Sequence, residues 1–161
     1  MSRTLRIATS EEDLSGHHLV RHKVFVDEQR IFTDTDIDEW DIGAHRIVAE
    51  VDGQIVGAVR IYRLDNFGLW KGDRLAVLPE ARRAIGMLLV RFAVETAGLR
   101  GGLLMVANVQ QANIRFFQRL GWTTQGPLID YHGRPHQEVS TPLVGAVPVE
   151  AHYEALAWVA G

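Results

Sequence analysis

The sequence predicts a mixed α/β (α+β) domain, a mostly antiparallel twisted sheet of six to seven strands with flanking helices. Three observations carry this expectation. Two runs rich in β-branched residues, His45 to Val51 and Gln54 to Arg63, are joined by Asp52-Gly53, a strong hairpin signal. An amphipathic helix with Ile85, Leu88, Leu89, Phe92, Ala93 and Thr96 on one stripe is followed by the short apolar run Leu103 to Ala107. That run reads as a strand buried on both faces and parallel to the strand before the helix. Finally, no internal repeat, low-complexity tract or linker interrupts the chain before Gly145 to Pro148, so residues 1–145 read as one domain and 146–161 as a C-terminal helical tail.

Taken in order, Thr4 to Ala8 forms a first strand, and Ser10 caps a helix whose first turn carries Glu11, Glu12 and Asp13. His17 to Gln29 is a second helix with Val20, Val24, Phe25 and Glu28 toward its apolar side. After the hairpin, Phe67 to Val77 is a further strand that Pro79 ends. Pro79-Glu80 opens the amphipathic helix, and Gly98 closes it. Gln110 to Leu120 is another helix, with Ile114, Phe117 and Leu120 inward and Gly121 just past its end. Trp122 to Ile129 and Glu138 to Leu143, around Gly133-Arg134-Pro135, close the sheet.

The 161 residues include no cysteine, 17 Lys plus Arg and 20 Asp plus Glu, for a formal charge of −3, and 47% are hydrophobic. Without cysteine there is no disulfide, no thiolate metal site and no cysteine nucleophile, and a reducing compartment suffices, so a cytoplasmic protein is expected. No apolar run reaches the ~18 residues of a membrane span, and Met1 to Ser10 lacks the apolar core of a signal peptide. The charge is uneven. Seven acids against Arg30 alone give −6 between Asp27 and Asp41, which leaves +3 for the rest. One acidic segment on a mildly basic body argues against nucleic-acid binding, which needs a broad basic face. The segment would either attract a cationic substrate by its field or form a solvated loop. Asp34, Asp36 and Asp38 alternate as in a calcium loop, but Glu39 and His45 stand where that loop requires Gly and Glu. His18 and His22 have a metal-ligand spacing without the intervening Glu, so they read as surface residues and no metal is expected.

Two segments carry the chemistry. In Leu75-Ala76-Val77-Leu78-Pro79-Glu80-Ala81-Arg82-Arg83-Ala84-Ile85-Gly86-Met87, a strand turns into a helix start whose free N–H groups favour an anion. Arg82 and Arg83 add cations, and small Ala84 and Gly86 allow a diphosphate close to the backbone. An ordinary helix start with exposed arginines is the alternative. The second segment is Asn108-Val109-Gln110-Gln111-Ala112-Asn113-Ile114-Arg115-Phe116-Phe117-Gln118-Arg119-Leu120-Gly121-Trp122. Together and in this order, the two resemble the motifs of the GNAT N-acetyltransferase superfamily, (Q/R)-x-x-G-x-(G/A) and N-x-x-A-x-x-x-Y-x-x-x-G-F. The resemblance spans roughly residues 4–143. Val24-Phe25-Val26-Asp27-Glu28-Gln29, the acidic run and Ala44-His45-Arg46-Ile47-Val48-Ala49 resemble a narrower group of small bacterial acetyltransferases and, more loosely, acyl-homoserine-lactone synthases. Gly72-Asp73-Arg74-Leu75-Ala76-Val77, with Val109-Gln110 and Gly133-Arg134-Pro135-His136, resembles the acetyltransferase domain that some bacteria fuse to a synthetase-like domain.

The resemblance implies the acyl-CoA N-acyltransferase fold and direct transfer of an acetyl group from acetyl-coenzyme A to an amine, on a small molecule or a peptide. It implies coenzyme binding at Leu75, Ala76, Val77, Arg82, Arg83, Ala84, Ile85, Gly86, Met87, Asn108, Asn113, Phe116 and Phe117. Several positions depart from the motifs. Ala81 and Ala84 replace the first Gln/Arg and Gly, Gln110 and Asn113 alter the second motif, and Phe117 stands where many members have a proton-donating tyrosine. For the base that an ammonium acceptor requires, Asp73 is one candidate, sharing a strand face with Leu75 and Val77 by alternation; an exposed edge acid is its alternative. Glu28 is the other, and a salt bridge to Arg74 or Arg60 is its alternative. Tyr131, His132 and His136 either line the acceptor pocket, where they could supply an acid, or form a hairpin tip. Tyr153, Leu156, Ala157 and Ala160 would pack on the domain or against a second copy. Acyl-homoserine-lactone-like acyl transfer and a non-catalytic coenzyme A-binding module are the alternative functions.

Overall fold

In the computed structural model, residues 2–82 and 84–143 are described. The linker and tail predicted beyond them, and Arg83, lie outside this set. Seven strands, β1 (Arg3–Ile7), β2 (His45–Val51), β3 (Gln54–Arg63), β4 (Leu69–Val77), β5 (Leu104–Gln110), β6 (Thr123–Tyr131) and β7 (Arg134–Pro142), alternate with α1 (Glu11–Arg21), α2 (Ala84–Leu99) and α3 (Ile114–Arg119). They form one sheet in the order β1-β2-β3-β4-β5-β7-β6. Every neighbouring pair is antiparallel except β4 and β5.

Local chemistry accounts for the elements. Ser10 Oγ accepts from the Asp13 amide at 3.1 Å to start α1, with three acids in the first turn facing its positive end. Asp52 and Gly53 have φ of 49° and 85°, the two positive values that a two-residue turn between twisted strands demands. The helices predicted at Ser10 and at His17 are one unbroken rod, because α1 runs directly into a π-helical turn at His22–Glu28. The helix predicted from Pro79 begins at Ala84 after a 3₁₀ turn, Pro79–Ala81, and β5 extends to Gln110, so α3 is shorter than predicted.

The helices cover opposite faces. On one face Arg6 reaches Asp13 of α1 at 2.8 Å and Arg46 meets His18 of α1 at 3.2 Å. On the other, Ala49 and Gly57 pair and lie beneath Ile85 and Leu89 of α2. Trp70, Ile47, Ile61, Leu89, Met105 and Val139 are fully buried. The expectation that β5 is buried on both faces does not hold. Met105, Ala107 and Val109 are buried, but Leu104 and Asn108 are exposed: α1 packs on β2, β3 and β4, and among the described residues no helix covers that face of β5. Among the described residues no helix is long and apolar enough to cross a membrane.

Gly102 lets the chain leave α2 for β5 beneath Trp70. A Cβ there would lie 2.8 Å from the Ala97 carbonyl oxygen and 2.8 Å from Trp70 Cδ1. Gly102→Ala is therefore expected to lower unfolding stability by about 1–3 kcal/mol in urea denaturation, since a backbone atom cannot move aside as a side chain can.

Candidate active site

The site begins with a defect in the sheet. Between Ala58 and Arg60 the β3–β4 register slips, so Val59 faces two residues, Arg74 and Leu75, and Arg74 takes φ of 54°. Such a bulge bends and twists its strand. The parallel ladder to β5 covers only Leu69–Lys71 and Leu104–Val106, and beyond it the two strands diverge. The wedge that opens is a cavity of about 150 Å³, with Val59, Leu75, Val90, Met105 and Phe117 among its apolar walls and Phe25 and Phe32 on the α1 side. The backbone groups of β4 after Lys71 and of β5 after Val106 that face each other across it have no ladder partner.

The bulge is held from outside. Arg74 donates to the Asp36 carbonyl at 3.2 and 3.0 Å, ion-pairs with Asp36 at 3.2 Å and with Asp38 at 3.3 Å, and lies 4.6 Å over the Phe32 ring. Beneath it runs a buried charge network. Arg21 Nε donates to Asp36 at 2.6 Å, and its Nη1 to Asp41 at 2.6 Å. Arg60 grips both oxygens of Asp73 at 2.7 Å and pairs with Asp38 and Asp41 at 2.5 and 3.1 Å. Tyr62 also donates to Asp73, at 3.2 Å. Burial alone would raise the Asp41 carboxyl, but the Arg21 hydrogen bonds and charge outweigh it and hold Asp41 well below the usual carboxylate range. Arg60 does the same for Asp38. Burial and the adjacent Asp73 charge push the Tyr62 hydroxyl up.

The acidic segment is thus neither a solvated loop nor a bare field: Asp36, Asp38 and Asp41 are spent on arginines. Asp73 lies in the cavity wall with both oxygens occupied, and the bulge breaks its expected alternation with Leu75 and Val77. Glu28 does not point inward. The wider π turn, in which the Gln29 amide donates to Val24 rather than to a residue four back, carries Glu28 off the apolar stripe. It pairs at the surface with Arg82 at 2.5 Å, not with Arg74 or Arg60. Arg82 also donates to the Val77 carbonyl at 3.1 Å, so it is tethered beside the end of β4.

Of the remaining expected coenzyme residues, Ala76 and Val77 are buried and Leu75 is half-buried at the end of β4, while Ala84, Ile85, Gly86 and Met87 form the first turn of α2. A Cβ on Gly86 would lie 3.7 Å from Phe116, which brings α3 against the start of α2. Asn108 and Asn113 reach the cavity. Phe117 is buried edge-on between Phe116 and Trp122, at 5.3 and 5.2 Å. His17, His18 and Asp41 lie close enough together to suggest a metal. His17, however, bonds the Ile47 carbonyl and Arg21, and Asp41 bonds Arg21 and Arg60, so their lone pairs are already engaged. His22 faces Asp27 at 3.6 Å, away from that group. Sequence reasoning missed Arg21, Arg60 and Phe32. An arginine inside the apolar run of β3, with seven acids between Asp27 and Asp41, was the available signal for Arg60.

A mostly antiparallel sheet whose single parallel pair splays over an apolar cavity defines an acyl-CoA N-acyltransferase fold. A family model for the acetyltransferase (GNAT) domain matches residues 43–124. YjcF of Bacillus subtilis (strain 168), an uncharacterized N-acetyltransferase, is 33% identical over 118 residues, 72% of this chain and 82% of YjcF. In structure the chain is similar to Escherichia coli ElaA, with a TM-score of 0.75 and 21% identity over 86% of this chain and 97% of ElaA. It is also similar to BjaI, a CoA-dependent acyl-homoserine lactone synthase, with a TM-score of 0.75 and 15% identity over 98% of this chain and 89% of BjaI. The chain belongs to the GNAT acetyltransferase family and is an acyltransferase.

Two outcomes follow from the network. Arg21→Met leaves Asp36 and Asp41 without their buried partner and is expected to cost about 3–5 kcal/mol in chemical unfolding. Burial pushes His17 down to about 3. The unfolded chain therefore takes up a proton below about pH 6.5 that the native state refuses, and stability falls with pH by up to about 1.4 kcal/mol per unit. Urea unfolding from about pH 6.5 to 4.5 should show a shallower slope in His17→Gln.

Proposed function

We propose that the protein moves an acetyl group from acetyl-coenzyme A directly to the amine of a small molecule or peptide. The splayed β4–β5 pair carries this reading, because it is a narrow apolar slot edged by backbone donors and acceptors that lack partners. The pantetheine arm would replace the missing ladder, pairing its amides with the edges beyond Lys71 and Val106. The thioester would then lie near Leu75, Ala76 and Val77. A backbone N–H there would polarise its carbonyl as charge develops on oxygen, a contribution of roughly 3 kcal/mol per donor in other acyl transfers. The diphosphate would meet the first turn of α2 at Ala84 to Met87, where the free N–H groups and the positive helix end favour an anion. Gly86 fits this role, since it presents no side chain to that turn. Arg82 is a weaker contributor than the sequence implies, because Glu28 already offsets its charge; Arg83 is proposed as the second cation.

With no cysteine in the chain, an acyl-cysteine intermediate is excluded, which accords with the direct transfer proposed. Phe117 cannot protonate the departing thiolate, so the acid must come from another wall of the cavity or from water. Asn108, Asn113 and Phe116 would border the thiol end of the coenzyme. A reducing compartment suits the composition, and we propose the cytoplasm as the site of action.

Calorimetric titration with acetyl-coenzyme A should give saturable binding, and no heat at millimolar concentration would overturn the reading. Thiol release across a panel of small amines, amino acids and peptides, with products read by mass spectrometry, is expected to single out a class of acceptor. Release only with homoserine-type acceptors would favour the lactone-synthase-like alternative.

A further inference from the structure

We propose that His136 is the catalytic base of the transfer, an assignment that rests on the acetyl-transfer reading above. Among the described residues, five titratable ones line the cavity: Lys71, Asp73, Arg74, Tyr131 and His136. Lys71 and Arg74 are cations. Asp73 has both oxygens on Arg60, and Tyr131 is a phenol, a donor in its neutral form. Of these five, His136 combines a basic lone pair with a place in the cavity lining.

Its state is set by one contact. His136 Nδ1 lies 2.9 Å from the Arg134 carbonyl oxygen, which can only accept, so Nδ1 carries the proton and the Nε2 lone pair is free in the neutral ring. Among the described residues, the one buried side-chain nitrogen or oxygen shut away without a partner is His18 Nδ1. Among the described residues His136 Nε2 has no hydrogen-bond partner and is not shut away; the residue is 5% exposed and lines the cavity, and we assign its open nitrogen to that side. The ring is held in place. It lies edge-on to Tyr131 with centroids 5.1 Å apart, and its strand is in register with β5 at Gln110. Arg134 donates to the Gln29 carbonyl at 3.0 Å, and Gln110 donates to the Gln29 side chain at 2.9 Å. The β6–β7 hairpin is thereby tied to the end of the π turn on the side of the wedge opposite α2, where an acceptor would enter.

The step balances without any further reactant. An N–H bond of the acceptor ammonium breaks and its proton moves to Nε2. The freed lone pair forms the C–N bond at the thioester carbonyl carbon, and the C–S bond breaks with its electron pair on sulfur. The second proton lost by nitrogen ends on that sulfur, and the imidazolium returns its own to water.

With an acceptor found by the thiol-release panel, His136→Asn and His136→Ala are expected to lower kcat/KM by about 10²–10⁴. Acetyl-coenzyme A affinity by calorimetry and the melting temperature should stay near wild type. Variants that keep more than about a third of the wild-type rate, on this scale of effects, overturn the assignment and leave the transfer reading intact. A wild-type protein that binds acetyl-coenzyme A but transfers to no amine overturns both. Should the variants fold poorly, long-range ¹⁵N–¹H correlation spectra of the wild type decide the matter. The neutral ring is expected as the Nδ1–H tautomer with its Nε2 resonance shifting on coenzyme binding, and an Nε2–H tautomer overturns the assignment.

Discussion

The buried exchange of charge among Arg21, Arg60 and Arg74 and Asp36, Asp38, Asp41 and Asp73 is the interaction on which the rest of the structure depends. Its members come from α1, the segment before β2, and strands β3 and β4. A charge taken out of water is tolerable only with its partners in place. No subset of these residues is satisfied alone, so the four segments must settle together. The same requirement fixes the bulge. Arg74 reaches Asp36 and Asp38 by taking a left-handed backbone conformation, and the extra residue bends β4 away from β5. The cavity is therefore a consequence of how the charges beside it are neutralised.

This arrangement also shapes the chemistry. Four carboxylates and three guanidiniums nearly cancel, which leaves the adjoining wedge apolar, with little net charge at its edge. In such a place a neutral imidazole is a more suitable proton acceptor than a carboxylate already committed to an arginine. The π turn works in the same direction. By shifting the phase of the rod that follows α1, it turns Glu28 out to Arg82 and brings Gln29 against the β6–β7 hairpin.

Much of the fold was legible because it is written in local patterns. Asp52-Gly53 forced a hairpin through backbone sterics, Ser10 and three acids announced α1, and the stripe from Ile85 to Thr96 announced α2. The resemblance to the GNAT superfamily rested on two segments around that helix, and the family model and the YjcF relative show the membership. The errors fell where a distant partner overrode a local rule. Alternation placed Asp73 beside Leu75 and Val77, but a bulge intervened. A 3.6-residue period placed Glu28 inward, but the helix widened. Leu103 to Ala107 read as doubly buried because it is apolar, although among the described residues a helix covers one of its faces alone.

The class of the fold and the order of its elements could be read along the chain, because turns, caps and periodicity depend on near neighbours, and the resemblance of two motifs to the GNAT superfamily implied the chemistry. Only the tertiary structure decided which charged groups remain available for chemistry. Arg82 and Asp73 look free in the sequence and are bound to partners, while His136, near a hairpin tip, lines the cavity. Ion pairing and desolvation are set by groups that meet across tens of residues, and a local pattern carries no record of who meets whom.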